Sequence, residues 1–257
     1  ENIECKYYRK EDFANIKIHS PKLDVGIIRG CIVPHHLLAK DLIHEVFQNV
    51  LNSGGKYETV VLIGPDHEST DKGKVFTTVK DWQAPAGILK TDSNITKKLL
   101  KNSFIFENDE KLTAEHSTSS IIPFIKYYMK DVNVITLVLT KQVKAENINK
   151  LTEELCKYLN TEKTLFVASV DFSHYLDLDT ADSMDLISMS AIKNKDINKI
   201  TCFTNDNLDS PVSIVTMLKL MEKIGTDEST VLSRSNSELI LNTKIRETTS
   251  YITYLFR

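Results

Sequence analysis

Four of the seven histidines stand where an apolar run ends or where a helical pattern begins. They are His35, His67, His116 and His174. A neutral imidazole binds iron, copper, nickel and zinc, and it is also the commonest general acid or base near neutral pH. One histidine at the end of a strand is usually a hydrogen-bonded structural residue. Several at the same kind of position favour a shared metal-binding or catalytic pocket.

Two aspartates stand beside the ends of these predicted elements. Asp171 follows an apolar run and stands three residues before His174. A carboxylate there can orient an imidazole, act as a base or complete a metal shell, and the alternative is that it caps the following turn. Asp209 precedes Ser210-Pro211, where it is expected to act as a cap.

Three further polar residues lie beside these histidines, and each has a structural alternative. His36 either caps the helix that it precedes or acts in the pocket. Asp66 comes directly before His67, where capping of a turn fits better than a chemical role. Glu115 either closes a capping interaction at the start of its helix or faces the pocket.

Apolar, β-branched runs predict the strands that position these residues, because such runs are typical of strands buried on both faces. The runs cover residues 25–33, 59–64, 132–139 and 164–170, and a β-branched and aromatic run at 248–256 predicts a final strand. Residues 25–33, 59–64 and 164–170 each lead directly into one of the motif histidines.

Helical patterns lie between these runs. One apolar stripe extends from Leu42 to Leu51, and another extends from Ile148 to Leu159. Ser210-Pro211 predicts an N-cap followed by proline at the first position of a helix, which ends at Gly225.

Strands that alternate with helices predict one α/β domain over residues 1–257, with a largely parallel or mixed central sheet and helices on both faces. In such folds, ligands gather at the carboxyl ends of the strands. If the strands are parallel neighbours, His35, His67 and His174 meet at one edge of the sheet. His116 stands at the start of the next helix and joins them there.

The composition excludes several classes of protein. Apolar residues make up 41% and charged residues 26%, and the net charge of −3 comes with no basic run, so no nucleic-acid interface is expected. There is no apolar stretch of membrane-spanning length. The four cysteines are widely spaced, which favours free thiols in a reducing, cytoplasmic location, although the start ENIECKYYRK is compatible with a removed leader. His19 and His44 lie outside any motif and are expected to be surface or structural residues.

Six short motifs in order carry a resemblance to a known family. They read Pro34-His35, Gly64-Pro65-Asp66-His67, Trp82-Gln83-Ala84-Pro85-Ala86-Gly87, Glu115-His116-Ser117, Pro123-Phe124 and Asp171-Phe172-Ser173-His174. In this respect the chain resembles the Memo family, also called AmmeMemoRadiSam system protein B. The resemblance covers residues 25–257 and leaves residues 1–24 as an N-terminal extension.

The resemblance implies a fold similar to that of class III extradiol dioxygenases, which bind non-haem iron through histidines and a carboxylate. It also implies a metal site at His35, His67 and a cysteine, with iron or copper and a redox role. Bacterial members often accompany a radical-SAM protein and an AMMECR1-like protein. Here Asn207 occupies the cysteine position, so a carboxylate, Asp209 or Asp171, is the expected replacement.

Three hypotheses follow. The first is a metal-dependent oxidoreductase of unknown substrate, with His35, His67 and Asp209 as ligands of a divalent metal. Iron is the first choice, and copper, zinc and manganese are the others. The catalytic residues are then His116, His174 and Asp171, and the other pocket residues are His36, Asp66, Glu115 and Asn207. The second hypothesis is a non-catalytic module that binds an anionic or peptide ligand in the same pocket, and the third is a metal-assisted hydrolase.

Overall fold

Strands and helices alternate along the computed structural model, which describes residues 1–18, 23–24, 26–226 and 228–257. The strands in this part of the chain are β1 (Ile3–Glu4), β2 (Gly30–Val33), β3 (Thr59–Pro65), β4 (Val75–Thr77), β5 (Trp82–Ala84), β6 (Gly87–Thr91), β7 (Ile105–Glu107), β8 (Asn133–Leu139), β9 (Thr164–Ser169), β10 (Ser229–Asn236) and β11 (Ser250–Phe256).

The helices of the described residues are mostly short. They are α1 (Lys40–Asn52), α2 (Ser93–Leu99), α3 (Asp109–Ala114), α4 (His116–Ser119), α5 (Ile122–Tyr128), α6 (Ala145–Tyr158), α7 (Leu178–Lys193), α8 (Ile197–Thr201), α9 (Pro211–Lys223) and α10 (Ser237–Leu241). Single 3-10 turns occur at Lys10–Phe13, Leu37–Ala39 and Thr161–Lys163. Within the described ranges, no helix is long and apolar enough to cross a membrane.

The strands form one mixed sheet in the order β1-β5-β6-β8-β3-β9-β2-β11-β10, and β4 joins it by pairing with β7 and β8. Its centre is parallel, because β8, β3, β9 and β2 pair in parallel with their neighbours in that run. Strands β11 and β10 extend the sheet in antiparallel fashion. The predicted α/β fold with a mixed central sheet is confirmed.

Alternate residues of the central strands enter two separate cores, one on each face of the sheet. On β3, Val61 and Ile63 belong to the core that α6 and α9 cover. Val60 and Leu62 belong to the opposite core, which α1 and α5 cover. Helices on both faces therefore explain why these strands are apolar at every position.

Two predicted elements differ from the structure. The run at 25–33 forms a strand only from Gly30 onwards, and Gly26, which precedes it, takes a left-handed φ of +75°. Val25 and His19 lie outside the described residues. The helix predicted to start at His116 is divided into α4 and α5. Pro123 stands in the first turn of α5, where its missing N–H breaks no helical hydrogen bond.

Truncation of a buried side chain in the core around α6 should destabilise the protein. Leu155 is fully buried on α6, so Leu155→Ala should lower the free energy of unfolding by about 2–5 kcal/mol through lost burial and a cavity. Urea denaturation measures this change. Leu239→Ala is the matched control, since Leu239 is 64% exposed and its truncation should change stability by less than about 0.5 kcal/mol. Equal effects of both substitutions would contradict the assignment of this core.

Candidate metal centre

The four motif histidines line one cavity of about 600 Å³ at the carboxyl ends of the parallel strands. His35 follows β2, His67 follows β3, and His174 follows β9. His116 is the first residue of α4 and reaches the cavity from the side. The rule that ligand sites lie beyond the carboxyl ends of parallel strands therefore places three histidines directly.

At the centre of the cavity, a single carboxylate oxygen faces two imidazoles. Oδ2 of Asp209 lies 3.0 Å from Nε2 of His35 and 3.2 Å from Nε2 of His67. Oδ2 of Asp171 lies 3.5 Å from the same nitrogen of His35. Among the described residues, two groups have ligand atoms within 4.8 Å of one another: His35 with His67 and His116, and His35 with Asp171 and Asp209.

The hydrogen bonds of His35 fix which of its nitrogens faces the cavity. Nδ1 of His35 lies 3.0 Å from Oγ of Ser169, and the Ser169 hydroxyl donates its own hydrogen to the carbonyl of Ser117. The serine oxygen therefore accepts from Nδ1–H. In the neutral ring, Nε2 then carries the lone pair, directed at Asp209, and this is the tautomer that a metal ligand needs.

His67 is oriented in the same way by Glu115. Its Nδ1–H donates to Oε1 of Glu115 at 2.7 Å, and its backbone N–H donates to Oε2 at 2.8 Å. Glu115 also caps α4 by accepting from the backbone N–H of Ser117. The capping role and the pocket role considered for Glu115 are thus both present, and the carboxylate leaves Nε2 of His67 to face the cavity.

Asp171 and Asp209 belong to two loops that are joined by hydrogen bonds. The backbone N–H of Asp209 donates to the carbonyl of Asp171 at 3.0 Å, and the backbone N–H of Asp171 donates to Oδ1 of Asp209 at 3.2 Å. The backbone N–H of His35 donates to Oδ1 of Asp171 at 3.0 Å. These bonds hold both carboxylates next to His35. The N-cap of α9 is Ser210, so Asp209 does not cap that helix.

His116 and His174 flank this group from two sides. The ring of His116 stacks on that of His67, with 4.1 Å between their centroids. His174 donates from Nδ1 to the carbonyl of Phe172, which leaves Nε2 as its acceptor nitrogen. Both residues contact the cavity without sharing the Asp209 oxygen.

Of the remaining predicted pocket residues, His36 and Asp66 line the cavity and Asn207 does not. His36 bonds to the hydroxyl of Tyr251 instead of capping its helix. Asp66 accepts from Lys111 at 2.8 Å. The placement of Asn207 is corrected: its backbone N–H donates to Thr204, and this turn directs its amide towards the sulfur of Met184.

Burial and charge shift the pKa values of the site in opposite directions. Burial opposes protonation of His67, but hydrogen bonds to Asp209 and Glu115 outweigh it and raise its pKa to about 10. The pKa of His35 is also raised, because Asp171 and Asp209 outweigh its burial. Burial, together with the charges of His67 and His35, lowers the pKa of His116 to about 4. His116 is therefore neutral at neutral pH, beside the more basic His35 and His67.

The pKa values of two carboxylates, Glu115 and Asp209, are lowered. Burial would raise the pKa of Glu115, yet its hydrogen bond from His67 lowers it to about 2. The pKa of Asp209 is held well below its usual range, because the charge and hydrogen bond of His35 outweigh burial. Both carboxylates are therefore ionised at neutral pH; Glu115 is engaged by His67 and Ser117, whereas Asp209 faces the cavity.

The cavity wall also contains residues that the sequence did not predict, among them Tyr7, Lys141, Tyr175 and Asn205. Tyr7 comes from the N-terminal extension, where β1 pairs with β5 and the Tyr7 hydroxyl donates to the carbonyl of Ala114. Lys141 follows β8, so the strand-end rule applied to lysine as well as histidine would have found it. For Tyr7, Tyr175 and Asn205, no local signal in the sequence marks a pocket residue.

Comparisons with known proteins identify the family of the chain. A family model described as Memo-like protein matches residues 11–254. The chain belongs to the Memo-like family. It is 28% identical over 222 residues to a MEMO1 family protein of Methanococcus vannielii, covering 81% of this chain and 77% of that one. It is 26% identical over 184 residues to a MEMO1 family protein of Aquifex aeolicus, covering 70% of this chain and 68% of that one.

A solved structure also resembles this Memo-like fold. The match with the crystal structure of an uncharacterized protein from Escherichia coli K12 covers 87% of this chain and 98% of that chain. The TM-score is 0.53 and the sequence identity is 10%. At this identity the likeness concerns the fold alone.

A close approach at Gly64 yields a prediction about the position of Glu115 and His116. A Cβ on Gly64 would lie 2.8 Å from Oγ of Ser117 and 2.9 Å from Cγ2 of Thr118. Gly64→Ala should therefore move α4 away from β3, destabilise the fold by about 1–3 kcal/mol and weaken the His67–Glu115 contact. Thermal unfolding and the imidazole NMR signals of His67 measure the two effects, and an unchanged variant would contradict the close approach.

The raised pKa of His67 gives a pH dependence in chelator-treated protein. Because its folded pKa, about 10, exceeds the usual value of 6.5, the stabilisation is complete below pH 6.5 and disappears as the pH rises through 10. Glu115→Gln should reduce this decline, since one of the two carboxylates that raise the pKa is lost. Unfolding midpoints between pH 6 and pH 10.5 for both proteins measure the difference, and parallel curves would refute the role of Glu115.

Proposed function

We propose that this Memo-like protein is a metal-dependent oxidoreductase, with a divalent metal held by His35, His67 and Asp209. The observation that carries the proposal is the Asp209 oxygen that faces Nε2 of both histidines. Each of these rings engages its Nδ1 elsewhere, as metal-binding histidines do.

The spacing of the donor atoms fits a metal. Ligand atoms at about 2.0–2.2 Å from a metal, separated by angles near 90–110°, lie about 3 Å from each other. The Asp209 oxygen is 3.0 Å from one imidazole nitrogen and 3.2 Å from the other. Asp171 and His116 stand next to this set and can adjust the coordination number.

The donor set favours iron(II), manganese or zinc over copper(I). Two imidazoles and a carboxylate are the ligands of many non-haem iron(II) sites, and they leave positions for oxygen and substrate. Copper(I) prefers thiolate, and none of the four cysteines lines the described cavity. The negative charge that a cysteine would supply comes here from Asp209.

The protein's own groups would bind substrate and move protons around the bound metal, which itself supplies the redox chemistry. His116 is neutral and stacked on His67, so a ring nitrogen can accept a hydrogen bond from a substrate hydroxyl. His174 keeps Nε2 as its acceptor because Nδ1 donates to Phe172. Asp171 has Oδ1 fixed by the backbone of His35, which leaves Oδ2 as a further proton acceptor.

A non-catalytic binding module is the second candidate. Lys141 and the protonatable His67 favour it, because both line the cavity in which an anionic or peptide ligand would bind. Oxygen uptake separates the two candidates. An iron-loaded protein that binds small molecules from an extract but never consumes oxygen would support the binding module.

Two further expectations stay predictions under this proposal. They are a functional association with a radical-SAM protein and an AMMECR1-like protein, and a cytoplasmic location.

Metal content tests the proposed ligands. His35→Ala, His67→Ala and Asp209→Ala should each lose most of the iron retained after anaerobic loading, because each removes a donor atom. Elemental analysis of protein purified without a nickel column measures the iron, and circular dichroism checks the fold.

Asp206→Ala is the matched control for Asp209→Ala, since Asp206 is an exposed carboxylate on the same loop and should keep the iron. Full iron retention in Asp209→Ala would contradict the ligand set. Tight copper(I) binding that disappears in Cys202→Ser would show instead that a cysteine is the ligand.

A further inference from the structure

One cation on the wall of the cavity has no role in the proposed metal site. Lys141 lies in the turn that follows β8, and it is the single lysine among the described residues that line the large cavity. Lys111, nearby, belongs to a separate small pocket and its ammonium group donates to Asp66. Lys141 therefore supplies a positive charge on the wall of this cavity.

Within the described chain, the ammonium group of Lys141 has no carboxylate partner. Two other lysines do have one: Lys74 pairs with Asp71 at 3.1 Å, and Lys111 pairs with Asp66 at 2.8 Å. The acidic groups of the cavity are engaged too, since Asp171 and Asp209 face His35. A ligand with an acid group would thus meet a cation that no protein carboxylate neutralises.

The backbone holds Lys141 at this place. Its carbonyl accepts from the backbone N–H of Gly73 at 2.8 Å, and the hydroxyl of the preceding Thr140 bonds to both backbone groups of Lys74. The following residue, Gln142, takes a left-handed φ of +64°. A non-glycine residue in this conformation is uncommon and costs free energy, and such residues cluster at functional sites.

We propose that Lys141 recognises an acid group on the ligand, so that the ligand of this cavity is a small organic acid with a metal-binding group at one end and a carboxylate or phosphate at the other. This inference rests on the proposed metal site for the first end only. A cavity of about 600 Å³ is of the size that small-molecule sites have. Lysine acts on either acid as a point charge, so both kinds of acid share this chemistry.

Hydroxamates test the proposal, because they bind divalent metals without a redox reaction. The probes are acetohydroxamate, which is neutral, and two relatives that carry an acid: succinic acid monohydroxamate and phosphonoacetohydroxamate. Their affinities for cobalt(II)-loaded protein are measured by calorimetry at low ionic strength. The two acid-bearing probes also tell a carboxylate preference from a phosphate preference.

Both acid-bearing probes, or one of them, should bind roughly five- to tenfold more tightly than acetohydroxamate, and Lys141→Gln should abolish that advantage. Acetohydroxamate itself should bind the variant and the wild type equally. Lys144→Gln is the matched control, because Lys144 is an exposed lysine three residues away that does not line the cavity. An equal loss in both variants, or no advantage of either acid in the wild type, would overturn the proposal.

A titration of chelator-treated protein with inorganic phosphate separates this inference from the metal site. Backbone NMR shifts around residue 141 that vanish in Lys141→Gln would support anion recognition even if acetohydroxamate never shows metal-dependent binding, a result that would count only against the proposed function. Absence of these shifts in the wild type would overturn the role of Lys141, whatever the metal does.

Discussion

The site depends on one buried carboxylate, Asp209, whose Oδ2 faces Nε2 of both His35 and His67. Only 5% of this side chain is exposed, and a buried carboxylate is strongly unfavourable unless a cation lies beside it. Protons on the two imidazoles meet this requirement in the absence of a metal, and a divalent metal would meet it in their place. The same electrostatic demand therefore explains the raised pKa of both histidines and the proposed ligand set.

Neighbouring groups fix the orientation of the two imidazole rings. Ser169 and Glu115 each engage the Nδ1 atom of one imidazole, so that both rings present Nε2 to the same oxygen. Ser169 ends β9 and Glu115 caps α4, so the orientation of the rings is set by the sheet and by the start of a helix. Gly64 allows that helix to lie against β3, which joins the packing of the fold to the geometry of the site.

The sequence predicted those site residues that directly follow a predicted strand. His35, His67 and His174 were placed because each follows an apolar run, and parallel strands bring such positions together. The bond between Asp171 and Asp209 joins loops that are 38 residues apart, so no local pattern encodes it. Asn207 was misplaced for a related reason, since a turn closed by Thr204 rotates it away from the cavity.

Two imidazoles and a carboxylate, without sulfur, are the ligands of the proposed metal site. The iron K-edge X-ray absorption spectrum of anaerobically loaded protein measures these ligands. Two imidazole rings and only nitrogen or oxygen donors at about 2.0–2.2 Å are expected in this spectrum. A sulfur shell at about 2.3 Å, or a spectrum without imidazole scattering, would contradict it.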